Sequence, residues 1–235
     1  MIFFIFVLSL DKENTYMKFD KIHNKGQAQI FRNQFLEKFV TKTHPLLIWS
    51  IYLPIIIYLP YYASAKYGFS GMSITFIFLA GILFWTFFEY IMHRFVFHWV
   101  SENPRTRRVA YILHGNHHEF PRDRQRLFMP AVPSLIIASI LFLIMYGVMG
   151  DNVLTFFPGF ILGYLFYASM HYAIHAWHPP FKWMKPIWRN HHLHHYKNDE
   201  RGFGVSTHIW DIVFGTAFDL KKEKEDKDAV RDLMF

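Results

Sequence analysis

Residues 130–175 read PAVPSLIIASILFLIMYGVMGDNVLTFFPGFILGYLFYASMHYAIH. Two apolar runs, at about 130–150 and 153–174, are joined here by the short polar link Gly150-Asp151-Asn152. A helix needs roughly 20 apolar residues to cross the hydrocarbon of a bilayer, and each run is long enough. So short a link allows only antiparallel neighbours. The stretch therefore predicts a transmembrane helical hairpin whose second helix ends in His171 and His175.

A second hairpin is predicted upstream. Its apolar runs cover about 45–65 and 71–92, and five residues, 66–70, connect them. Pro54 and Pro60 are expected to kink the first helix rather than end it, because neighbouring helices can satisfy the freed carbonyls. The predicted fold is all-α and integral to the membrane, with four transmembrane helices in two hairpins and a cytosolic helical cap.

Composition agrees with this class, because 52% of the 235 residues are hydrophobic and 20% are aromatic. We divide the chain into an N-terminal cytosolic segment (1–44), a membrane-embedded domain (45–218) and a charged C-terminal tail (219–235). The apolar residues 1–10 are too short to span a bilayer and lack signal-peptide features. Translation from Met17 would leave 1–16 untranslated, and the sequence is compatible with either start.

Orientation follows from the basic residues. Of the 25 Lys and Arg, all but Lys66 fall on one side of the predicted hairpins. The positive-inside rule then places both termini and the central loop in the cytosol, of a bacterial inner membrane or the endoplasmic reticulum. The net charge of +7 describes a basic cytosolic cap suited to anionic headgroups or an acidic protein partner. No basic patch belongs to a nucleic-acid-binding module, so nucleic acid is not an expected partner.

Histidine is the main chemical feature, with 15 residues, and the chain has no cysteine. Thiolate zinc sites, Fe–S clusters and thiolate haem ligation by this chain are therefore excluded. Ten histidines form four groups, two of which share the pattern H-x-x-H-H: His93 and His98; His114, His117 and His118; His171 and His175; His191, His194 and His195.

Helical spacing brings most of each group together. Offsets of three and four residues place each triplet on one helical face, and likewise the pair His171 and His175. His93 and His98 do not share a face of an α-helix, so either the helix breaks near Arg94 or the two side chains approach from different directions. All ten can converge at the cytosolic membrane surface. They are ligands enough for two metals at about five each, with one octahedral position left open on each. We read the remaining histidines as non-ligands: His23, His44, His178, His192 and His208.

These motifs resemble the fatty acid hydroxylase and sterol desaturase superfamily of membrane di-iron enzymes. The histidine boxes are EYIMHRFVFH at 89–98, HGNHHEFPRD at 114–123, HYAIH at 171–175 and HHLHHY at 191–196. The second box and the ending GFGVS at 202–206, followed by Trp210-Asp211 and 214–216, look like those of fatty acid 2-hydroxylases. The resemblance covers about residues 80–218.

The resemblance implies a monooxygenase that hydroxylates C2 of a fatty acyl chain, free or in a sphingolipid, with two iron ions and O2. Zinc is an alternative occupant in purified protein. Many relatives carry a cytochrome b5 domain, and the stretch before the first helix is too short for one. The donor is therefore expected to be a separate cytochrome b5 or ferredoxin type protein. One departure is Ala168, where relatives often have an acidic residue, so a supporting hydrogen bond is expected to be absent.

Other readings remain open at this point. A sterol or lipid desaturase or methyl oxidase could use the same site, although the second box argues against it. A zinc-dependent lipid hydrolase is also compatible, because imidazole suits zinc. A metal transporter or haem carrier would need ligands near mid-membrane, where these helices have no histidine. Glu89, Asp123 and Asp211 are expected to be supporting or structural groups. The aromatic side chains at 84–88 and 166–167 could line an acyl channel, although most of them are expected to face lipid or to pack between helices.

Overall fold

The computed structural model describes residues 22–99 and 103–219, and no β-strand occurs within those two ranges. The expectations for residues 1–16 and for nearly all of the C-terminal tail lie outside the described residues. The α-helices are α1 Gln34–Thr41, α2 Pro45–Tyr67, α3 Gly71–Ile91, α4 Pro104–Ala110, α5 Asn116–Glu119, α6 Ala131–Met149, α7 Val153–Ala176, α8 Lys185–Tyr196 and α9 Ile209–Val213. Two π-helices, Met92–Phe97 and Tyr111–Gly115, and two 3-10 turns, Gly150–Asn152 and Lys182–Met184, complete the described part.

Three stretches are long and apolar enough to cross a membrane by length and composition: Pro45–Tyr67, Gly71–Phe97 and Ala131–Ala176. The chain is therefore a multi-pass membrane protein. Helix α2 runs through both Pro54 and Pro60, in agreement with the sequence. The third stretch contains α6, the Gly150–Asn152 turn and α7. These three stretches contain all four predicted apolar runs, and the number of membrane passes stays a prediction.

The Gly150–Asn152 turn reverses the chain. The rings of Phe142 in α6 and Phe157 in α7 lie 5.2 Å apart between centroids. A continuous helix would separate residues 15 positions apart by about 22 Å. Gly150 makes the reversal possible, since its φ of 57° belongs to a conformation that residues with a Cβ rarely adopt. Helices α6 and α7 therefore lie side by side.

Helix α7 is the centre of the bundle, because α2, α3 and α6 all pack against it. Its contact with α3 is made backbone to backbone at two glycines. A Cβ on Gly81 would lie 2.2 Å from the Phe156 carbonyl oxygen, and one on Gly159 would lie 1.9 Å from that of Phe78. Small residues allow such close approach between membrane helices. This contact fixes α3 and α7 against each other, and both helices end at histidine groups.

Polar side chains inside the bundle are bonded between helices. The Tyr52 hydroxyl lies 2.7 Å from the Ser134 hydroxyl, and the Trp49 indole N–H donates to Ser169 at 3.0 Å. Such bonds satisfy groups that the apolar surroundings would otherwise leave unpaired.

We use the name cap for the short helices and loops between α3 and α6 and after α7, and residues 22–44 contact this part of the chain. The backbone N–H of His23 donates to the Glu119 carbonyl at 2.7 Å, and that of Thr43 donates to the Gln125 carbonyl at 2.9 Å. Arg126 adds ion pairs with Glu37 of α1 and with Asp123. Asp123 is thus a structural group that holds Arg126, and Arg126 connects the segment 22–44 to the cap.

Replacing Gly159 with alanine should drive a methyl group into the Phe78 backbone and separate α3 from α7. Overpacking costs about 1–3 kcal/mol, and contact with backbone favours the upper end. Thermal unfolding of the detergent-purified protein, followed by tryptophan fluorescence, should show a lower midpoint. Gly147→Ala is the control, because its added Cβ would have no atom of another helix within 4 Å. Equal midpoints for the two variants would contradict the close packing.

Candidate metal centre

The ten predicted histidines come together in two groups of five. Within each group, one ring nitrogen from every histidine lies within 4.8 Å of the others. The first group contains His93, His98, His114, His118 and His194, and the second contains His117, His171, His175, His191 and His195. Each group draws on more than one of the sequence motifs, so the fold assembles both.

A π-helix explains how His93 and His98 reach the same group. The chain does not break near Arg94; it continues from α3 into the π-helix Met92–Phe97. The backbone N–H of His98 donates to the His93 carbonyl at 3.2 Å, a bond between residues five apart. This wider turn stacks residues that an α-helix would point apart, and their rings lie 5.0 Å apart between centroids.

Each H-x-x-H-H triplet is divided between the two groups. His114 and His118 belong to the first group, while His117 belongs to the second. The other triplet divides the opposite way, because His191 and His195 belong to the second group and His194 to the first. Offsets of three and four residues differ by about 100° around a helix axis, so neighbouring histidines face different centres. One triplet therefore supplies both groups.

The spacing of the ring nitrogens tests whether a cation fits. In the first group, the His114 Nε2 lies 3.0 Å from the Nε2 atoms of both His93 and His118. In the second, the His191 Nε2 lies 2.9 Å from that of His175 and 3.1 Å from that of His195. A ring nitrogen carries one hydrogen or one lone pair, so hydrogen bonding can satisfy only one such neighbour.

A metal ion satisfies all of them. With metal–nitrogen distances of about 2.1 Å, octahedral geometry holds adjacent ligand nitrogens about 3.0 Å apart, whereas tetrahedral geometry requires about 3.4 Å. The observed separations match the octahedral value. In addition, the buried Nε2 of His194 has no hydrogen-bond partner within the described part of the chain. The donor sets therefore fit two six-coordinate cations with five imidazoles each.

Backbone carbonyls orient the rings of His93 and His194. The Nδ1–H of His93 donates to the Phe203 carbonyl at 2.5 Å, and that of His194 donates to the Arg201 carbonyl at 2.7 Å. A carbonyl can only accept, so Nδ1 carries the hydrogen and Nε2 presents a lone pair to the group. These two carbonyls were not identified from the sequence.

Buried carboxylates hold the loop that carries the Phe203 carbonyl. Asp211 accepts hydrogen bonds from the backbone N–H groups of Phe203 and Gly204, both at 2.9 Å. Glu89 accepts from Val205 at 2.7 Å and from the Ser206 N–H at 2.9 Å. The two carboxylates thus fix loop 202–206 against α3, the supporting role that the sequence suggested for them.

Burial keeps the imidazoles in the cap neutral. It lowers the pKa of His98 to about 2, with the neighbouring His93 adding to the effect. Burial is also the main reason why the pKa values of six others lie well below the usual value: His114, His117, His118, His191, His194 and His195. Neutral imidazole is the form that binds metal, so these residues are ready to act as ligands at neutral pH.

The other five histidines belong to neither group. His192 is buried, but its Nδ1–H donates to the Trp188 carbonyl at 2.7 Å. His44 caps α2 through an Nδ1 that accepts from the Leu46 N–H at 3.3 Å. Ala168, the position where relatives often have an acidic residue, is buried in the apolar core. The preceding Tyr167 stacks on His171 with ring centroids 5.8 Å apart.

The family model described as "Fatty acid hydroxylase" matches residues 78–216, which contain every histidine of both groups. The chain belongs to the fatty acid hydroxylase family. It is 34% identical over 207 residues to the ceramide very long chain fatty acid hydroxylase SCS7 of Saccharomyces cerevisiae, covering 84% of this chain and 52% of that protein. It is also 34% identical to the dihydroceramide fatty acyl 2-hydroxylase FAH1 of Arabidopsis thaliana, covering 83% of this chain and 82% of that protein.

A solved structure of this family has the same fold. The chain titled "Full length scs7p (only hydroxylase domain visible)" superposes with a TM-score of 0.75 at 33% identity, over 83% of this chain and 73% of that one. Our chain spans about half the length of the yeast SCS7 sequence. The predicted family resemblance is thus confirmed by sequence and by fold.

Replacing Asp211 with alanine should release loop 202–206 and with it the Phe203 carbonyl. Three donors lose their acceptor, including the Thr216 hydroxyl at 2.8 Å. Leaving buried donors unpaired costs about 1–3 kcal/mol, so the free energy of unfolding should fall by that order. Chemical denaturation followed by circular dichroism would measure it.

Asp151→Ala, in the Gly150–Asn152 turn, is the matched control and should change stability by no more than about 0.5 kcal/mol. If D211A were as stable as the parent chain, the loop would not depend on this carboxylate.

Proposed function

We propose that this chain is an O2-dependent hydroxylase that inserts a hydroxyl group at C2 of a fatty acyl chain, using two iron ions held by the ten histidines. The observation that carries the proposal is the pair of five-histidine groups inside a domain whose relatives are named as a ceramide very long chain fatty acid hydroxylase and a dihydroceramide fatty acyl 2-hydroxylase.

Five neutral imidazoles per ion leave an octahedral cation one further coordination position. Iron bound in the two groups would supply the O2 activation that hydroxylation of a C–H bond requires. In the overall reaction, one oxygen atom enters the C–H bond at C2. The other oxygen atom is reduced to water, and this reduction consumes two electrons and two protons.

The residues around the histidines would keep water from the reaction. Phe97 stacks on His114 with centroids 5.3 Å apart, and Phe203 packs edge-on against His93 at 5.7 Å and His194 at 5.5 Å. An apolar shell of this kind controls solvent access to a metal site. The aromatic rings of this shell are compatible with an acyl chain as substrate.

We further propose four membrane passes in two hairpins, with α6 and α7 crossing separately. The side-by-side packing of these helices and the charge distribution support this arrangement, because along the sequence all but one of the 25 Lys and Arg fall outside the two predicted hairpins and the links at their tips. Both termini are then cytosolic, in the bacterial inner membrane or the endoplasmic reticulum.

The position of the groups favours C2. His93 follows the last turn of α3, and His171 and His175 lie in the last turns of α7, at the ends of membrane-spanning stretches. A site at headgroup depth can reach carbons beside the carboxyl or amide group of a lipid. A mid-chain carbon could reach such a site only if the acyl chain bent back out of the bilayer. The substrate is thus a free fatty acid or the acyl group of a sphingolipid.

Electrons are proposed to come from a separate cytochrome b5 or ferredoxin type protein, since the sequence contains no cysteine for an Fe–S cluster and no glycine-rich dinucleotide loop. The basic cap suits an acidic donor, and salt should weaken their association.

The purified chain should bind about two metal ions, one per histidine group. His118→Ala removes a nitrogen from the first group and His195→Ala one from the second, so each variant should retain about one ion by mass spectrometry of the metal content. Both variants should lose hydroxylase activity. His23→Ala is the control, because this side chain is about half exposed and lies in neither group. Full activity in either H118A or H195A would remove the dimetal proposal.

A host that expresses this chain with a competent electron donor should accumulate 2-hydroxy fatty acyl groups, detected by lipid mass spectrometry. With 18O2 in the gas phase, the hydroxyl oxygen should carry the label. The H118A variant serves as the inactive control. Desaturated or mid-chain hydroxylated products would assign the site to a desaturase or another hydroxylase, and label from water would indicate hydrolytic or hydratase chemistry.

A further inference from the structure

Helix α9 has its polar and apolar sides reversed relative to a helix on a water-exposed surface. Asp211 faces inward and is 0% exposed, whereas Ile209, Ile212 and Val213 are 58%, 63% and 61% exposed. Soluble proteins rarely expose contiguous aliphatic patches, and where they do the patch marks a contact surface. The outer face of α9 is therefore a surface that needs a partner.

The position of α9 along α3 indicates that its outer face contacts membrane lipid. The Trp210 indole N–H donates to Thr86 at 3.0 Å, and its ring packs against Phe87 with centroids 5.0 Å apart. Phe214 stacks on Tyr90 at 5.2 Å. Thr86 precedes His93 by seven residues, about 10 Å along the helix axis toward the middle of the span. Helix α9 thus lies beside the apolar part of α3 rather than beyond its end.

The span that contains α3 also has exposed apolar side chains, on either side of the depth at which α9 lies. In the span Gly71–Phe97, Leu83 is 69% exposed and Phe95 is 55% exposed. Both side chains must face hydrocarbon or the membrane interface if α3 crosses the bilayer. The exposed face of α9 has the same apolar character at a depth between these two residues.

A second exposed cluster follows α7, the helix that packs against α3. Trp177, Phe181 and Trp183 are 58%, 59% and 70% exposed, and the cationic side chains of Lys182 and Lys185 alternate with them along the chain. Tryptophan next to lysine is typical of a membrane–water interface, where the ring sits at headgroup level and the ammonium group extends to water. Two separate segments of the cap, residues 177–185 and α9, thus carry side chains typical of a membrane interface.

We propose that α9 is an interfacial membrane helix whose outer face, Ile209, Ile212 and Val213, lies among the upper acyl-chain carbons of the cytosolic leaflet. Its inner face holds loop 202–206 through Asp211, and that loop carries the carbonyl that orients His93. The cap is then seated in the leaflet rather than suspended above it. One short helix contacts the lipid phase on one side and supports the histidine groups on the other.

The absence of cysteine from the chain allows a direct test. Ile212→Cys or Val213→Cys, labelled with an environment-sensitive nitrobenzoxadiazole fluorophore, is placed in nanodiscs that contain one copy of the full chain. Emission should shift to shorter wavelength, and phosphatidylcholine brominated at upper acyl-chain carbons should quench it. Leu83→Cys is the control within the membrane, and Lys25→Cys, on an exposed residue of segment 22–44, is the control in water.

The outcomes separate this proposal from the others. Water-like emission at positions 212 and 213, or short-wavelength emission that brominated lipid does not quench, would overturn it; the latter would indicate a protein partner instead. If Leu83→Cys were also unquenched, the spanning arrangement of α3 itself would be wrong. The assay does not depend on turnover, so failure of the proposed hydroxylation would leave its result unchanged.

Discussion

The crowding of ten neutral imidazoles is the constraint on which the rest of the structure depends. Nε2 atoms about 3 Å apart, with His114 and His191 each facing two such neighbours, cannot all be satisfied by hydrogen bonds. Lone pairs that face one another in a buried site repel unless a cation lies between them. The scaffold must therefore hold this arrangement by packing alone whenever metal is absent.

Several unusual local structures provide that packing. The close contact of α3 and α7 at Gly81 and Gly159 fixes the two helix ends that carry His93 and His171. The π-helix Met92–Phe97 adds a residue to the last turn and so turns His98 toward the same group. Loop 202–206 then closes over the first group, and Asp211 and Glu89 hold its backbone. Each of these features serves the orientation of a particular imidazole.

The sequence predicts much of this arrangement, and the gaps have physical reasons. Helix positions follow from apolar length, and the ten histidines are recognisable because their spacing repeats. The division of each triplet between two groups was missed, because shared-face reasoning treats offsets of three and four as equivalent although they diverge by about 100°. The π-helix has no hydrophobic signature, and the carbonyls of Phe203 and Arg201 carry no side-chain signal. Only the motif around 202–206 marked that loop as important.

Which side chains of α9 are buried is explained by contact with lipid rather than with water. In water the carboxylate of Asp211 would be outside and the aliphatic side chains of α9 inside, and the structure has the opposite order. Against lipid the same order is favourable, because aliphatic carbons meet hydrocarbon while the carboxylate finds three donors within the protein. The buried position also allows the Asp211 carboxylate to accept hydrogen bonds from the backbone of loop 202–206. Because α9 lies beside the apolar part of α3, its inner face can hold the loop that orients His93 while its outer face contacts lipid.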